Sequence, residues 1–123
     1  MTNGEASFAG TGEELRDWLD VEDAAALLVT AAGHGSAECP VVNGGFGKAA
    51  SVRTIVEGLQ RELGAATPPV FSGTRRGGDP IGYEADIVEA LAWGWRPERS
   101  LADGLATYAA WFLEEGAARG PRA

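Results

Sequence analysis

Glycine is the residue that most limits what this chain can build. Eighteen of the 123 positions are glycine, and many of them flank apolar runs. Glycine weakens helix and strand interiors and is at home in turns, so the stretches between glycines bound each element. The pattern predicts about four helices and three or four short strands, a mixed α/β chain of α+β-like character. One domain with a modest core is the expectation at this length, spanning residues 8–116. Residues 1–7 are expected to be a flexible lead and 117–123 a disordered tail without apolar anchors.

Along the chain, Ser7-Phe8-Ala9 is a candidate strand end and Gly10-Thr11-Gly12 a turn. Alternation of polar and apolar residues predicts a short strand over Arg16–Val21. Glu22-Asp23 suit the positive end of a helix, predicted over Ala24–Ala32 and ended by Gly33 and Gly35. Pro40–Asn43 reads as an apolar strand, and Gly44–Lys48 as a tight loop. Ser51 is a candidate N-cap for a helix whose Val52, Ile55, Val56, Leu59 and Leu63 share one face. Pro68–Ser72 is a further strand candidate, followed by the polar loop Gly73–Pro80. A helix is expected over Glu84–Trp93. Ser100 and Asp103 form a capping box for a last helix that buries Leu101, Leu105, Tyr108 and Phe112, with Trp111 beside them, and stops at Gly116.

Charge and composition exclude several functions. The net charge is -8, which argues against a nucleic-acid binder, since phosphate backbones need a basic face. A small anionic ligand needs only one or two well-placed arginines and stays open. No apolar run approaches the roughly 20 residues of a membrane helix, and the N-terminus lacks the pattern of a secretory signal. Cys39 is the only cysteine; no internal disulfide can form, and a cytoplasmic location is expected.

Individual motifs are weak. Gly45-x-Gly47-x-x-Ala50, after a strand and before a helix, fits a dinucleotide turn, but too few βα units follow to complete a dinucleotide crevice. Arg75 and Arg76 in a glycine-rich loop could grip phosphate or form a solvated turn. His34 is the only histidine; with one histidine and one cysteine, no metal site is expected. Trp95 and Trp111 are expected in the core; Trp18 and Trp93 could be core residues or stack on a ligand. Asp17 and Asp20 are the candidates for acid–base chemistry if a carboxylate with raised pKa is present.

Four segments in order resemble the extended short-chain dehydrogenases/reductases of the nucleotide-sugar epimerase/dehydratase type. They are Gly10–Ala25 with Arg16-Asp17-Trp18-Leu19, Val42–Lys48 leading to Ser51-Val52, Arg76–Asp79 followed by Asp86, and Trp93–Pro97 with Ser100–Leu105 and Trp111-Phe112. The resemblance runs from about Phe8 to Phe112 and corresponds to the C-terminal third of such a protein, without its N-terminal Rossmann half. It implies that Arg16 and Arg76 contact a nucleotide sugar or similar anion and that Asp79 orients Arg76. Asp20, where the family usually has histidine, and Gly77, where it has proline, depart from the pattern.

The family uses NAD or NADP with a Tyr-x-x-x-Lys pair. This chain has no such pair and is expected to bind no cofactor alone. The resemblance further implies that the surface around Ala24–Ala32 and Val41-Val42 is left uncovered, so a homo-oligomer or a partner chain covering the Rossmann-facing side is expected. Two other functions stay open: a cofactor-independent isomerase, lyase or cyclase built on Asp17 or Asp20, and an assembly module docking on a partner enzyme.

Overall fold

The computed structural model describes residues 6–75 and 77–119. The chain runs β1 (Ser7–Phe8), β2 (Leu15–Arg16), α1 (Val21–Gly33), β3 (Ala50–Ser51), α2 (Val52–Glu62), β4 (Val70–Phe71), α3 (Val88–Ala92) and α4 (Leu101–Arg119). The mixed α/β class and the four helices agree with the sequence. Each strand has only two residues. β1 pairs in parallel with β4, and β2 pairs antiparallel with β3. A parallel bridge from Leu15 to Gly82 ties the segment after β4 to β2.

Several boundaries differ from expectation, each for a local reason. The predicted strand over Arg16–Val21 ends at Arg16, because Asp20 is the N-cap of α1 and its carboxylate accepts the Glu22 N–H. The helix therefore begins at Val21 rather than Ala24. Pro40–Asn43 forms no strand: no ladder partner lies beside it among the described residues, although Val42 packs on the core. β3 was not foreseen. α3 starts at Val88 rather than Glu84, since the Ala85 N–H is given to Asp17 and the Asp86 carboxylate accepts the Val88 N–H. α4 continues through Gly116 to Arg119; one glycine costs a helix interior roughly 1 kcal/mol, too little to stop it. The expected flexible lead falls largely outside the described residues, as does the end of the expected tail.

α2 follows its sequence closely. Ser51 caps it through the Thr54 N–H, Ile55 is buried, and Val52, Val56, Leu59 and Leu63 are half-buried. Gly58 is also buried, and a Cβ there would stand 2.5 Å from Leu105 Cδ1; α4 can lie against α2 because this position is bare. α4 turns Ala109 and Leu105 toward α2. Tyr108, Phe112 and Trp111 are each about half exposed, at 51%, 50% and 51%, which corrects the expected buried face and the expected core role of Trp111.

The core is small. Leu27, Ala90 and Trp95 form its buried cluster, with Leu19, Val42 and Ile87 packed around it. Trp95 is buried as expected, and its indole N–H donates to the Asp23 carbonyl at 3.0 Å. The Asp23 carboxylate is buried too, and accepts the Glu98 and Arg99 N–H groups at 3.0–3.2 Å. One residue thus fastens α1 to the turn before α4. Removing the carboxylate leaves those amides without an acceptor, and hydrogen bonds to charged groups contribute about 1.5–3 kcal/mol. Asp23→Ala is expected to lower the free energy of urea unfolding by about that amount; an unchanged midpoint would show that the clamp contributes nothing.

A second carboxylate shapes the loop before β2. Glu14 accepts the Thr11 and Gly12 N–H groups and the Thr11 hydroxyl at 2.9–3.0 Å. Hydrogen bonds from the backbone N–H of Thr11, and next from its own, hold its pKa down at about 2 against an ordinary 4.5. A lowered folded-state pKa means that the stabilisation is complete above the unfolded value and is lost as pH falls through the folded one. Glu14→Gln is therefore expected to lose stability at pH 7 and to show a shallower decline than the parent between about pH 4.5 and 2, read by thermal melts across that range.

Candidate functional site

The site grows from β2. Pairing of Leu15 and Arg16 with Ser51 and Ala50 holds Arg16 beside the segment Pro80–Ala85. The Leu15 N–H donates to the Ile81 carbonyl, and the Tyr83 N–H donates back to the Leu15 carbonyl. The Arg16 guanidinium donates to its neighbour's carbonyl at Leu15 and, at 3.4 Å, to that of Pro80. It lies 5.2 Å from the Tyr83 ring centroid. Both hydrogen-bond acceptors are neutral backbone oxygens, and among the described residues Arg16 makes no ion pair. A cation held by neutral carbonyls and an aromatic face keeps its charge available to an anion.

Arg16 opens onto a cleft of about 440 Å3, walled also by Asp17, Asn43, Tyr83, Glu84 and Asp86. Asn43 is fixed there by its side-chain amide, which donates to the Asp86 carbonyl. Glu84 turns its carboxylate to the Ala49 N–H at 2.8 Å. The cleft thus brings together three of the four resembling segments: the Arg16 strand, the Asn43 loop and the stretch before Asp86.

Asp17 sits at the floor and is fully engaged. Its two oxygens accept the N–H groups of Phe46, Gly47 and Ala85 at 2.6, 3.0 and 3.0 Å. Gly45 lies so close that an added Cβ would stand 2.6 Å from the carboxylate and 2.5 Å from the Ala85 Cβ. The glycine turn therefore serves this clamp: amides that a pyrophosphate would use are already taken by Asp17. Asp20 caps α1 and pairs at 3.7 Å with Arg99, which also bonds Glu22. The two acid–base candidates occupy structural positions on opposite ends of the Asp17–Asp20 stretch.

The arginine loop is placed only in part. Arg75 reaches the Asp79 carbonyl at 3.3 Å, folding the loop on itself. Arg76 lies outside the described residues, so the expected contact between it and Asp79 does too. His34 is the C-cap of α1 and stacks on Trp93 with centroids 4.6 Å apart. No group of three or more metal-ligating side chains occurs among the described residues, and none of their helices is long and apolar enough to cross a membrane. Sequence reasoning missed Tyr83 and Asn43 as cleft residues. Tyr83 carried no signal beyond its place near the arginine loop, whereas Asn43 stood within a recognised segment.

No protein-family model matches the chain. Among curated proteins it is 37% identical over 102 residues to a UDP-glucose 4-epimerase of Azospirillum brasilense, covering 76% of the chain and 28% of that protein. It is 34% identical over 104 residues to a dTDP-glucose 4,6-dehydratase of Actinoplanes, covering 84% of the chain and 32% of the relative. Among solved structures, UDP-glucose 4-epimerase from Thermotoga maritima, crystallised with UDP-glucose, superposes with a TM-score of 0.82 at 28% identity, over 92% of this chain and 36% of that one. The chain spans about a third of the length of the proteins it matches. In sequence and in fold, these residues belong to the extended short-chain dehydrogenase/reductase family of epimerase/dehydratase type and correspond to about a third of such a protein.

Proposed function

We propose that this segment supplies the nucleotide-sugar side of an epimerase/dehydratase-type protein, with Arg16 and Arg76 as the cations for the diphosphate and Asp79 setting the arginine loop. The observation that carries this is Arg16 itself, a guanidinium at the mouth of a cleft with only neutral carbonyls as hydrogen-bond acceptors. Guanidinium forks suit the paired oxygens of a diphosphate. Similar structures support the ligand class: the Thermotoga maritima enzyme was solved with UDP-glucose, and MoeE5 with UDP-glucuronic acid and NAD.

The residues present do not fit a nicotinamide cofactor. The one glycine turn that could hold a pyrophosphate spends the amides of Phe46 and Gly47 on Asp17, and neither tyrosine has a lysine four residues on. The segment is therefore proposed to bind substrate and to perform no redox step alone. An acid–base role for Asp17 or Asp20 gains no support, since each carboxylate is committed to backbone amides or to Arg99.

Calorimetric titration of the 123-residue chain with UDP-glucose, and separately with NAD, tests this. Binding of UDP-glucose without binding of NAD is expected. Loss of one charged hydrogen bond corresponds to about 1.5–3 kcal/mol, so Arg16→Ala and Arg76→Ala are each expected to weaken UDP-glucose about 10- to 150-fold. Parental affinity in Arg16→Ala would overturn the assignment.

A further inference from the structure

The two hydrogen bonds that hold Arg16 at the cleft leave from the same nitrogen: Nη1 donates to the Leu15 and Pro80 carbonyls. The guanidinium has further N–H donors at Nε and Nη2, which meet no acceptor among the described residues. Bonds that converge on one atom let the rest of the group pivot about it. The Tyr83 ring, its centroid 5.2 Å from Cζ, is a second point of contact.

The backbone fixes that ring in place. Leu15 bridges in parallel to Gly82, so Arg16 and Tyr83, each the next residue on, lie side by side on one face of the pairing. The bridge is tight: a Cβ at Gly82 would stand 3.1 Å from the Leu15 Cβ. The Leu15 carbonyl accepts the Tyr83 N–H at 3.2 Å and also Arg16 Nη1, so ring and cation are tied to one oxygen. The Tyr83 hydroxyl makes no hydrogen bond among the described residues, and the side chain is largely open to the cleft and solvent.

We propose that Tyr83 is a positioning residue for Arg16: its ring face restrains the guanidinium so that the Nε and Nη2 donors meet an anionic oxygen already ordered. This rests on the reading of Arg16 as a diphosphate cation, and adds a residue that acts on the ligand through Arg16. An aromatic face attracts a cation without taking its N–H donors. A carboxylate in the same place would neutralise the charge and occupy the fork. The acidic side chains of the cleft are spent elsewhere: Asp17, Glu84 and Asp86 each accept backbone N–H groups. Ordering the guanidinium before binding lowers the entropy lost when the ligand arrives.

Calorimetric titration with UDP-glucose, and with UDP, which carries the diphosphate but no sugar, separates the roles open to Tyr83. Tyr83→Leu is expected to weaken both ligands by the same factor, about 2- to 5-fold, the size of an exposed cation–π contact. Tyr83→Phe keeps the ring and is expected to retain parental affinity. In an Arg16→Ala background Tyr83→Leu is expected to change nothing, because the two residues act as a unit. A loss confined to UDP-glucose would set Tyr83 against the sugar and overturn the proposal, as would the same loss in Tyr83→Phe or in the Arg16→Ala background. Unchanged affinity in Tyr83→Leu beside a weakened Arg16→Ala removes the role of Tyr83 alone. Parental affinity in Arg16→Ala, or no binding by the parent chain, removes the reading of the site and this role with it. The Arg16 Nε–H resonance of the ligand-free protein reads the contact without any binding. It is expected to shift in Tyr83→Leu and to stay in Tyr83→Phe; an unmoved resonance in Tyr83→Leu overturns the proposal.

Discussion

Asp17 holds together three pieces of chain that strand pairing joins only weakly. β2 is two residues long, the Phe46-Gly47 turn has no strand of its own, and Ala85 lies in the extended stretch before α3. Ladders this short contribute little to tertiary order. A carboxylate with two oxygens and several lone pairs can accept N–H groups from separate segments at once, and bonds to a charged acceptor are stronger than neutral ones. Asp17 therefore sets the position of the cleft floor, and with it the place of Arg16 one residue earlier.

Asp23 does the same at the other side of the core, joining α1 to Glu98 and Arg99 just before α4. Glu14 shapes the loop that delivers β2. Three acidic residues thus act as joints where apolar contact is scarce. The net charge of -8 has a structural share beyond solvation, because some of the carboxylates behind it are hydrogen-bond acceptors for the backbone. The compensating cost is a buried core of few side chains and broad apolar surfaces on α1 and α4, in a chain about a third as long as its relatives.

Much of this was legible in the residues. The α2 face, the Ser51 and Ser100 caps, the burial of Trp95 and the β4 strand followed from periodicity and cap chemistry, which act within a few residues. The family resemblance came from short motifs in order. The errors share a cause. Trp18–Asp20 alternates like a strand, yet Asp20 caps a helix; Pro40–Asn43 is apolar like a strand, yet lacks a neighbour to pair with. Tyr108, Phe112 and Trp111 have the spacing of a buried face, yet α2 meets α4 at Leu105 and Ala109. Periodicity tells that residues share a side, and leaves open which side another element will occupy.

The sequence by itself determined that four helices form, the Ser51 and Ser100 caps, and the kinship of the segment, since each depends on neighbouring residues or on their order. Only the tertiary structure decided what Asp17 and Asp23 do, that the glycine turn is closed by a carboxylate, and that Arg16 faces a cleft beside Tyr83 and Asn43. These depend on contacts between residues tens of positions apart. A carboxylate looks the same in the sequence whether it titrates in a site or accepts three backbone amides, and only its neighbours in space distinguish the two.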